Sequence, residues 1–516
     1  MDLLLKIFKS LNMKKSIFNA FCSFVLLFCF AVSGSGQQYD EFGFMIRFED
    51  GTSQDSIDAI KGYYNCDELW VSPLTNTHYW QVNRFPFVIP GTTDTISDIN
   101  ETSDKAENRS EVNETDLDYI FKSIPFSSSV GSAGPPIDIC NQKISNPRDE
   151  GLSPVKVCIM DTGYSPTHNN INVTSGYNYV SNNFNLDDNN GHGTKVTYLV
   201  EQTILDNTFN GSNIEFDIRK THNEDGDGLL SNILLATEEA IIEGANIINM
   251  SFSYFDNINA FESNIFKNTI NHAEINNILI VCASGNESIE IQKPGLGSLT
   301  SYPSVFENYN LLTVGSFNCE TKDLSNFSNY GLSEVDITAS GENIEFPFSQ
   351  GSNETVFSGT SFSAPIVTGI AAALAQYQNS FDYIGIKCAI MRGADIEIKL
   401  ANQILSSGNA NAENALIELN SGCDEIITDS KHAHIIGRSS QKTISFFPNP
   451  VENFAQIKTN NNIEFIRILN LQSQLISVIN KNQISSKINL SFLDSGIYIL
   501  QISTPQETYL ESLVKI

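Results

Sequence analysis

Apolar and polar positions divide the 516-residue chain into stretches of different period. Residues 42–49 alternate as a strand does, 53–64 repeat at helical spacing, and 69–71 and 78–82 return to short extended runs. Together they predict a small α+β unit over 37–130, with one more strand at 117–126. Within it, residues 91–116 are mostly Thr, Asp, Asn, Glu and Ser with almost nothing to bury, which predicts a flexible insert. Gly131 to Pro136 reads as a junction. From about residue 137 the pattern becomes strand, loop, helix in repetition. Apolar strands are predicted at 155–160, 214–218, 246–250 and 278–282, and helices at 229–243 and 265–275. That alternation predicts an α/β domain over 137–423, a parallel sheet covered by helices on both faces. In such sheets chemistry gathers at the carboxyl ends of the strands. A polar linker follows at 424–443, and short alternating strands such as 463–470 and 497–502 form a last β-rich module over 444–516.

Lys14 and Lys15 precede an apolar run, 17–32, which closes in Ser33-Gly34-Ser35-Gly36. A charged start, short apolar middle and small-residue end describe a secretory signal peptide over 1–36. An N-terminal membrane anchor is the alternative. No later segment has the ~18 unbroken apolar residues of a membrane span, so the mature chain is read as having no transmembrane segment.

Sixty Asp and Glu against 30 Lys and Arg give a net charge of -30. A nucleic-acid binder should show a basic face, so that class is disfavoured and no nucleic-acid partner is expected. Of nine cysteines, Cys22 and Cys29 fall in the leader. The other seven show no CxxC or zinc spacing and, being odd in number, leave at least one free thiol. Cys158 and Cys282 lie in apolar strands and are expected as buried small hydrophobes.

The candidate chemistry sits where predicted strands end. The strand at 155–160 runs into Asp161-Thr162-Gly163, Gly191-His192-Gly193-Thr194 opens a helix, and the strand ending at Cys282 leads to Ala283-Ser284-Gly285-Asn286. Gly359-Thr360-Ser361 turns into the apolar helical run 362–373. Ser361 there faces the unpaired N–H groups and positive end of a helix, a favourable place for a nucleophile whose reaction builds charge on an oxygen. Singly, these pieces also fit a turn, a core histidine, a backbone-bonding asparagine and a helix cap. In the order Asp, His, Asn, Ser they form one constellation.

Over about 137–420 these pieces resemble the subtilisin-like serine proteases (subtilases). Asn249-Met250-Ser251, Phe327-Ser328-Asn329-Tyr330-Gly331, Ala364-Pro365 and the stretch 408–416 add to the match. The resemblance implies a serine endopeptidase. Ser361 is the nucleophile, His192 its general base, and Asp161 the partner that fixes the imidazole; Asn286 donates to the oxyanion. It also implies that substrate adds as a strand between Gly226, Gly228 and Leu229 on one edge and Ser251, Phe252 and Ser253 on the other, with Ala283 and Gly285 nearby. Lys195, Thr197, Tyr198, Ser253 and Ser340 depart from the family's usual residues, and Tyr198 enlarges the helix near His192. The chemistry requires no cofactor. Asp187, Asp188, Glu224, Asp225 and Asp227 are of the type that binds structural calcium, although solvated acidic loops carry the same residues.

By the same resemblance, the first unit is a propeptide that assists folding and blocks the cleft. Phe446-Phe447-Pro448-Asn449-Pro450 and Leu493-Asp494-Ser495-Gly496-Ile497-Tyr498 resemble the C-terminal β-sandwich sorting domain of the type IX secretion system. An immunoglobulin-like binding module is the alternative there. The expected partners are protein or peptide substrates, the chain's own propeptide and the type IX machinery. The expected location is outside the cell or on its outer surface. A catalytically inactive relative, serving as a surface binding or adhesion protein, is the rival reading.

Overall fold

The computed structural model describes residues 39–423 apart from 50, 91, 124–126, 130–139, 141–142, 146, 148–153, 167–171, 209–212, 257–263, 294–298, 347–355 and 379. Farther on it describes 444–447, 451, 453–459, 463, 465–469, 475–481, 487–493, 496–503 and 508–515. The expected signal peptide, the junction and the linker lie outside these residues. The chain divides into two units, 1–432 and 433–516.

The first unit opens with β1 (Tyr39–Phe48), α1 (Gln54–Tyr63), β2 (Cys66–Val71), β3 (Thr77–Val82), α2 (Ile99–Glu107) and β4 (Val112–Lys122). β4, β1, β3 and β2 pair antiparallel in that order. One face of this sheet closes over Trp80, Phe44, Ile57 and Ile60. Of the expected flexible insert at 91–116, residues 92–116 are instead built. Asp98 caps α2 by accepting from Glu101 N, the Glu101 carboxylate returns to Ser97 N, and Ile99 and Ala106 are buried. Two apolar residues at helical spacing and one reciprocal cap are enough when a sheet lies alongside to cover them.

The α/β part follows with β5 (Val155–Asp161), β6 (Val173–Asn178), α3 (His192–Asn207), β7 (Ile214–Lys220), β8 (Asp227–Leu229), α4 (Leu230–Ile242), β9 (Ile247–Met250), α5 (Asn264–Ile275), β10 (Leu279–Ala283), β11 (Leu311–Asn318), β12 (Ile337–Ser340), α6 (Thr360–Ala375), α7 (Tyr383–Arg392) and α8 (Ala412–Asn420). The central strands run parallel in the order β12, β11, β10, β9, β5, β7, β6. β5, β9 and β10 at the centre of this sheet are almost wholly buried under helices, which is why their sequences are near-continuous apolar runs, whereas the edge strand β6 is only half-buried.

Every residue of α6 is buried, and this helix packs against α3 and against β9 to β12. Gly369 permits the close crossing of α3, since a Cβ there would lie 2.5 Å from Thr203 Cβ and 2.9 Å from Val200 O. The N-terminal sheet lays Met45, Tyr79, Tyr119 and Phe121 into one apolar cluster with residues of α4, α5, β9 and β10. Cys140 pairs with Cys319 and Cys388 with Cys423, while Cys66, Cys158 and Cys282 are buried thiols outside these disulfides.

The second unit, taken alone, contains two antiparallel sheets. Ile444–Phe447, Phe454–Thr459 and Lys487–Asn489 form one; Leu475–Asn480, Phe465–Leu469, Gly496–Ser503 and Thr508–Lys515 form the other. Ala455, Ile488, Ile466, Ile468, Leu500 and Ile502 from both sheets share one core.

Candidate active site

Asp161 is the last residue of β5, and His192 is the first of α3. Their side chains are both about 1% exposed, with Asp161 Oδ1 2.8 Å from His192 Nδ1. The pair is held by Asp188. Its Oδ1 accepts from Thr162 Oγ1 (2.8 Å) and Gly191 N (2.7 Å), and its Oδ2 accepts from Thr194 N (2.8 Å) and Thr194 Oγ1 (2.7 Å). One carboxylate thus ties the Asp161 turn to the helix that carries His192. Burial alone would raise the Asp188 carboxyl, yet the hydrogen bonds from Thr194, Gly191 and Thr162 hold it below its ordinary value. The turn also demands glycine: a Cβ on Gly193 would stand 2.3 Å from Gly163 O.

Ser361 is the second residue of α6, 3% exposed, and Phe362 beside it packs its ring against that of His192 at 5.5 Å. His192 Nε2 and Ser361 Oγ are both buried without a hydrogen-bond partner. Two such orphans cost free energy unless a ligand or a reaction uses them. Ser361 N, in the first turn of α6, has no intrahelical acceptor. Asn286 Oδ1 accepts from Thr360 N and Thr360 Oγ1, each at 2.9 Å, which leaves the side-chain NH₂ to donate. Gly285 before it has φ +104°, and a Cβ there would lie 2.4 Å from Asn329 Nδ2.

The two edges expected to hold substrate are occupied by the N-terminal unit. β4 pairs antiparallel with β8, setting Lys122 opposite Asp227, Phe121 opposite Gly228 and Ile120 opposite Leu229. Lys122 N donates to Ser253 O (3.0 Å), Ser253 N donates to Lys122 O (3.1 Å), and Ser123 N donates to Gly226 O (2.8 Å). Phe121 is fully buried among Phe252, Tyr254 and Phe266, at centroid distances of 5.9, 5.5 and 5.7 Å. Ser123 Oγ donates to Asp161 Oδ1 (3.0 Å) and lies 2.8 Å from His192 Nδ1. Ser251, at the end of β9, accepts from Asn249 Nδ2 at 2.9 Å, and Ala283 O at the end of β10 accepts from Ser304 Oγ at 2.9 Å. Thr368 of α6 donates to Asn249 Oδ1 (2.9 Å), tying this strand end to the helix of Ser361.

Several of these residues carry no signal of their own in the sequence. Asp188 stands there only as a calcium candidate, whereas its four hydrogen bonds make it the clamp of the pair. His222 is buried behind β8, its imidazole 4.6 Å from the Phe252 ring, and burial first of all holds its pKa down to about 4. Tyr198, a departure from the usual small residue, turns away to Phe346 at 5.9 Å and joins the cluster around Phe357 and Phe362. Lys195 donates to Gly191 O and stacks over Phe357. Among the described residues no group of three or more His, Cys, Asp or Glu is gathered to hold a metal ion.

Residues 153–422 match the Subtilase family. The chain belongs to the subtilase family. Residues 445–516 match a second family, the Secretion system C-terminal sorting domain, which marks the chain for secretion by the type IX route. Among similar proteins, the M-protease of Shouchella clausii (strain KSM-K16) is 31% identical over 268 residues, 51% of this chain and 64% of that protein. The alkaline protease of Alkalihalobacillus alcalophilus is 31% identical over 239 residues, 46% of this chain and 57% of that protein. Subtilisin BL of Lederbergia lenta is 30% identical over 239 residues, 46% of this chain and 81% of that protein. The chain thus spans about six-tenths of the first two relatives. Among the described residues, no helix of this subtilase is long and apolar enough to cross a membrane.

Proposed function

We propose that the chain is a secreted serine endopeptidase, made as a precursor, that cleaves peptide bonds through Ser361, His192 and Asp161. The observation that carries this reading is the buried Asp161–His192 pair at 2.8 Å together with the unpartnered His192 Nε2 and Ser361 Oγ. In this mechanism, Ser361 Oγ attacks the scissile carbonyl and passes its proton to His192 Nε2. Asp161 keeps Nδ1 protonated and stabilises the imidazolium. The oxyanion receives hydrogen bonds from Asn286 Nδ2 and Ser361 N. His192 then protonates the leaving amine, and water, deprotonated by the same nitrogen, releases the acyl group from Ser361. The test is turnover of a quenched peptide by the chain freed of residues 39–123. Amide hydrolysis that a serine-directed fluorophosphonate stops is the expected result, and turnover indifferent to that reagent contradicts the reading.

The N-terminal unit acts as propeptide in this proposal. Besides filling the cleft, it completes the catalytic part. Helix α4 has no side-chain cap of its own, and Asp118 of β4 supplies one by accepting from Ser231 N (2.8 Å) and Ser231 Oγ (2.7 Å). A loop of the same unit seats Ser72 and Thr75 on the buried Glu238 of α4. A cap and a sheet partner supplied together favour formation of α4 and β8.

Both tryptophans of the chain, Trp70 and Trp80, lie in this unit. Maturation is therefore expected to remove all tryptophan emission from the active chain, while a precursor unable to process itself keeps it. Active enzyme that retains its indole signal would make the unit permanent. Deleting residues 444–516 is expected to hold active enzyme inside the cell envelope, and normal release of the shortened chain would reject the sorting role.

A further inference from the structure

Resting on the peptidase reading above, we infer that Asp227 selects a basic side chain in the substrate, at the position that Lys122 occupies here. Three main-chain hydrogen bonds from both edges of the cleft clamp Lys122 and Ser123, and none of them involves a side chain. Any peptide running along this path can form the same bonds, so its residues are set in the same register.

The register is then read by what each position meets. Ser123 lies against Asp161 and the Nδ1 edge of His192, so the bond to be cut lies on its C-terminal side. Phe121, two residues earlier, points into the aromatic cage of Phe252, Tyr254 and Phe266. Lys122 points to the opposite side, as strand alternation requires, and its ammonium pairs with the Asp227 carboxylate.

Asp227 is fixed for this role. Its N–H donates to Asn223 Oδ1 at 3.0 Å, its carbonyl accepts from Asn223 N at 2.9 Å, and Gly228 next to it is backed by His222. Glu224 and Asp225, both exposed, stand in the same turn, so the sign of the field at this rim is negative. A glutamate brought to the position of Lys122 would face Asp227 directly, and like charges opposite one another on paired strands are unfavourable.

The experiment uses three quenched peptides identical except at one residue, with Phe-Lys-Ser, Phe-Gln-Ser or Phe-Glu-Ser upstream of the scissile bond, and the matured chain freed of residues 39–123. The lysine peptide is expected to exceed the glutamate peptide in kcat/KM by about tenfold at low salt, the glutamine peptide lying between, as a half-exposed ion pair and its repulsive counterpart together imply. The ratio should shrink towards one in molar salt. It should fall to about one in Asp227→Asn and invert in Asp227→Lys. If neither variant folds, the salt series on the parent chain decides alone. Equal rates for all three peptides overturn the selectivity while leaving the peptidase intact. No turnover of any peptide overturns both.

Discussion

Ser361→Ala lowers kcat for peptide hydrolysis by about 10⁴ to 10⁶-fold, a scale taken from subtilisin itself rather than derived from this structure. The methyl group that remains cannot attack a carbonyl, and His192, still paired with Asp161, has no proton to accept. The same substitution should leave the fold intact. Ser361 Oγ is buried without a partner, so its removal breaks no hydrogen bond and relieves an unsatisfied polar atom. Thermal unfolding of the variant is therefore expected at or above the temperature of the unprocessed parent. A variant that turns over at the parental rate sinks the assignment of the nucleophile. One that unfolds well below the parent shows that Oγ has a structural partner.

Asn286→Ala should lower kcat by about 10² to 10³-fold with little change in KM, again on the scale known from subtilisin. The side-chain NH₂ meets charge only when the carbonyl oxygen becomes an oxyanion, so the ground-state complex loses little. The substitution also removes the acceptor of Thr360 N and Thr360 Oγ1 at the start of α6, so a stability cost of about 1 to 2 kcal/mol accompanies the kinetic one. Steady-state kinetics on the matured variant checks the first effect and a melting curve the second. A rise in KM at constant kcat would place Asn286 on ground-state substrate and end its role at the oxyanion.

Parts of the molecule that depend on local pattern were legible in the sequence. β5, β7, β9 and β10 fall within about two residues of their apolar runs, because a strand buried on both faces has few other compositions. α4 and α5 followed helical spacing, and the four candidate positions, proposed above as catalytic, were picked out by strand ends and glycine turns. Parts that depend on distant partners were not. The stretch 91–116 has the composition of a loose insert, and only the sheet beside it makes Ile99 and Ala106 a buried face. The ties from Asp118 to Ser231 and from Asp188 to Thr162, Gly191 and Thr194 join positions that no periodicity connects. The pairing of Cys140 with Cys319 could not follow from an odd count of thiols. The register of β4 in the cleft, which carries the selectivity of Asp227, is likewise a property of the folded chain.

The central claim is that Ser361 is a nucleophile activated by His192. Peptide mapping after reaction with a fluorophosphonate tests it most directly. The matured chain should carry one phosphonyl group, on Ser361, and His192→Ala should carry none in the same time. Labelling of a different residue, or equal labelling with and without His192, would contradict it.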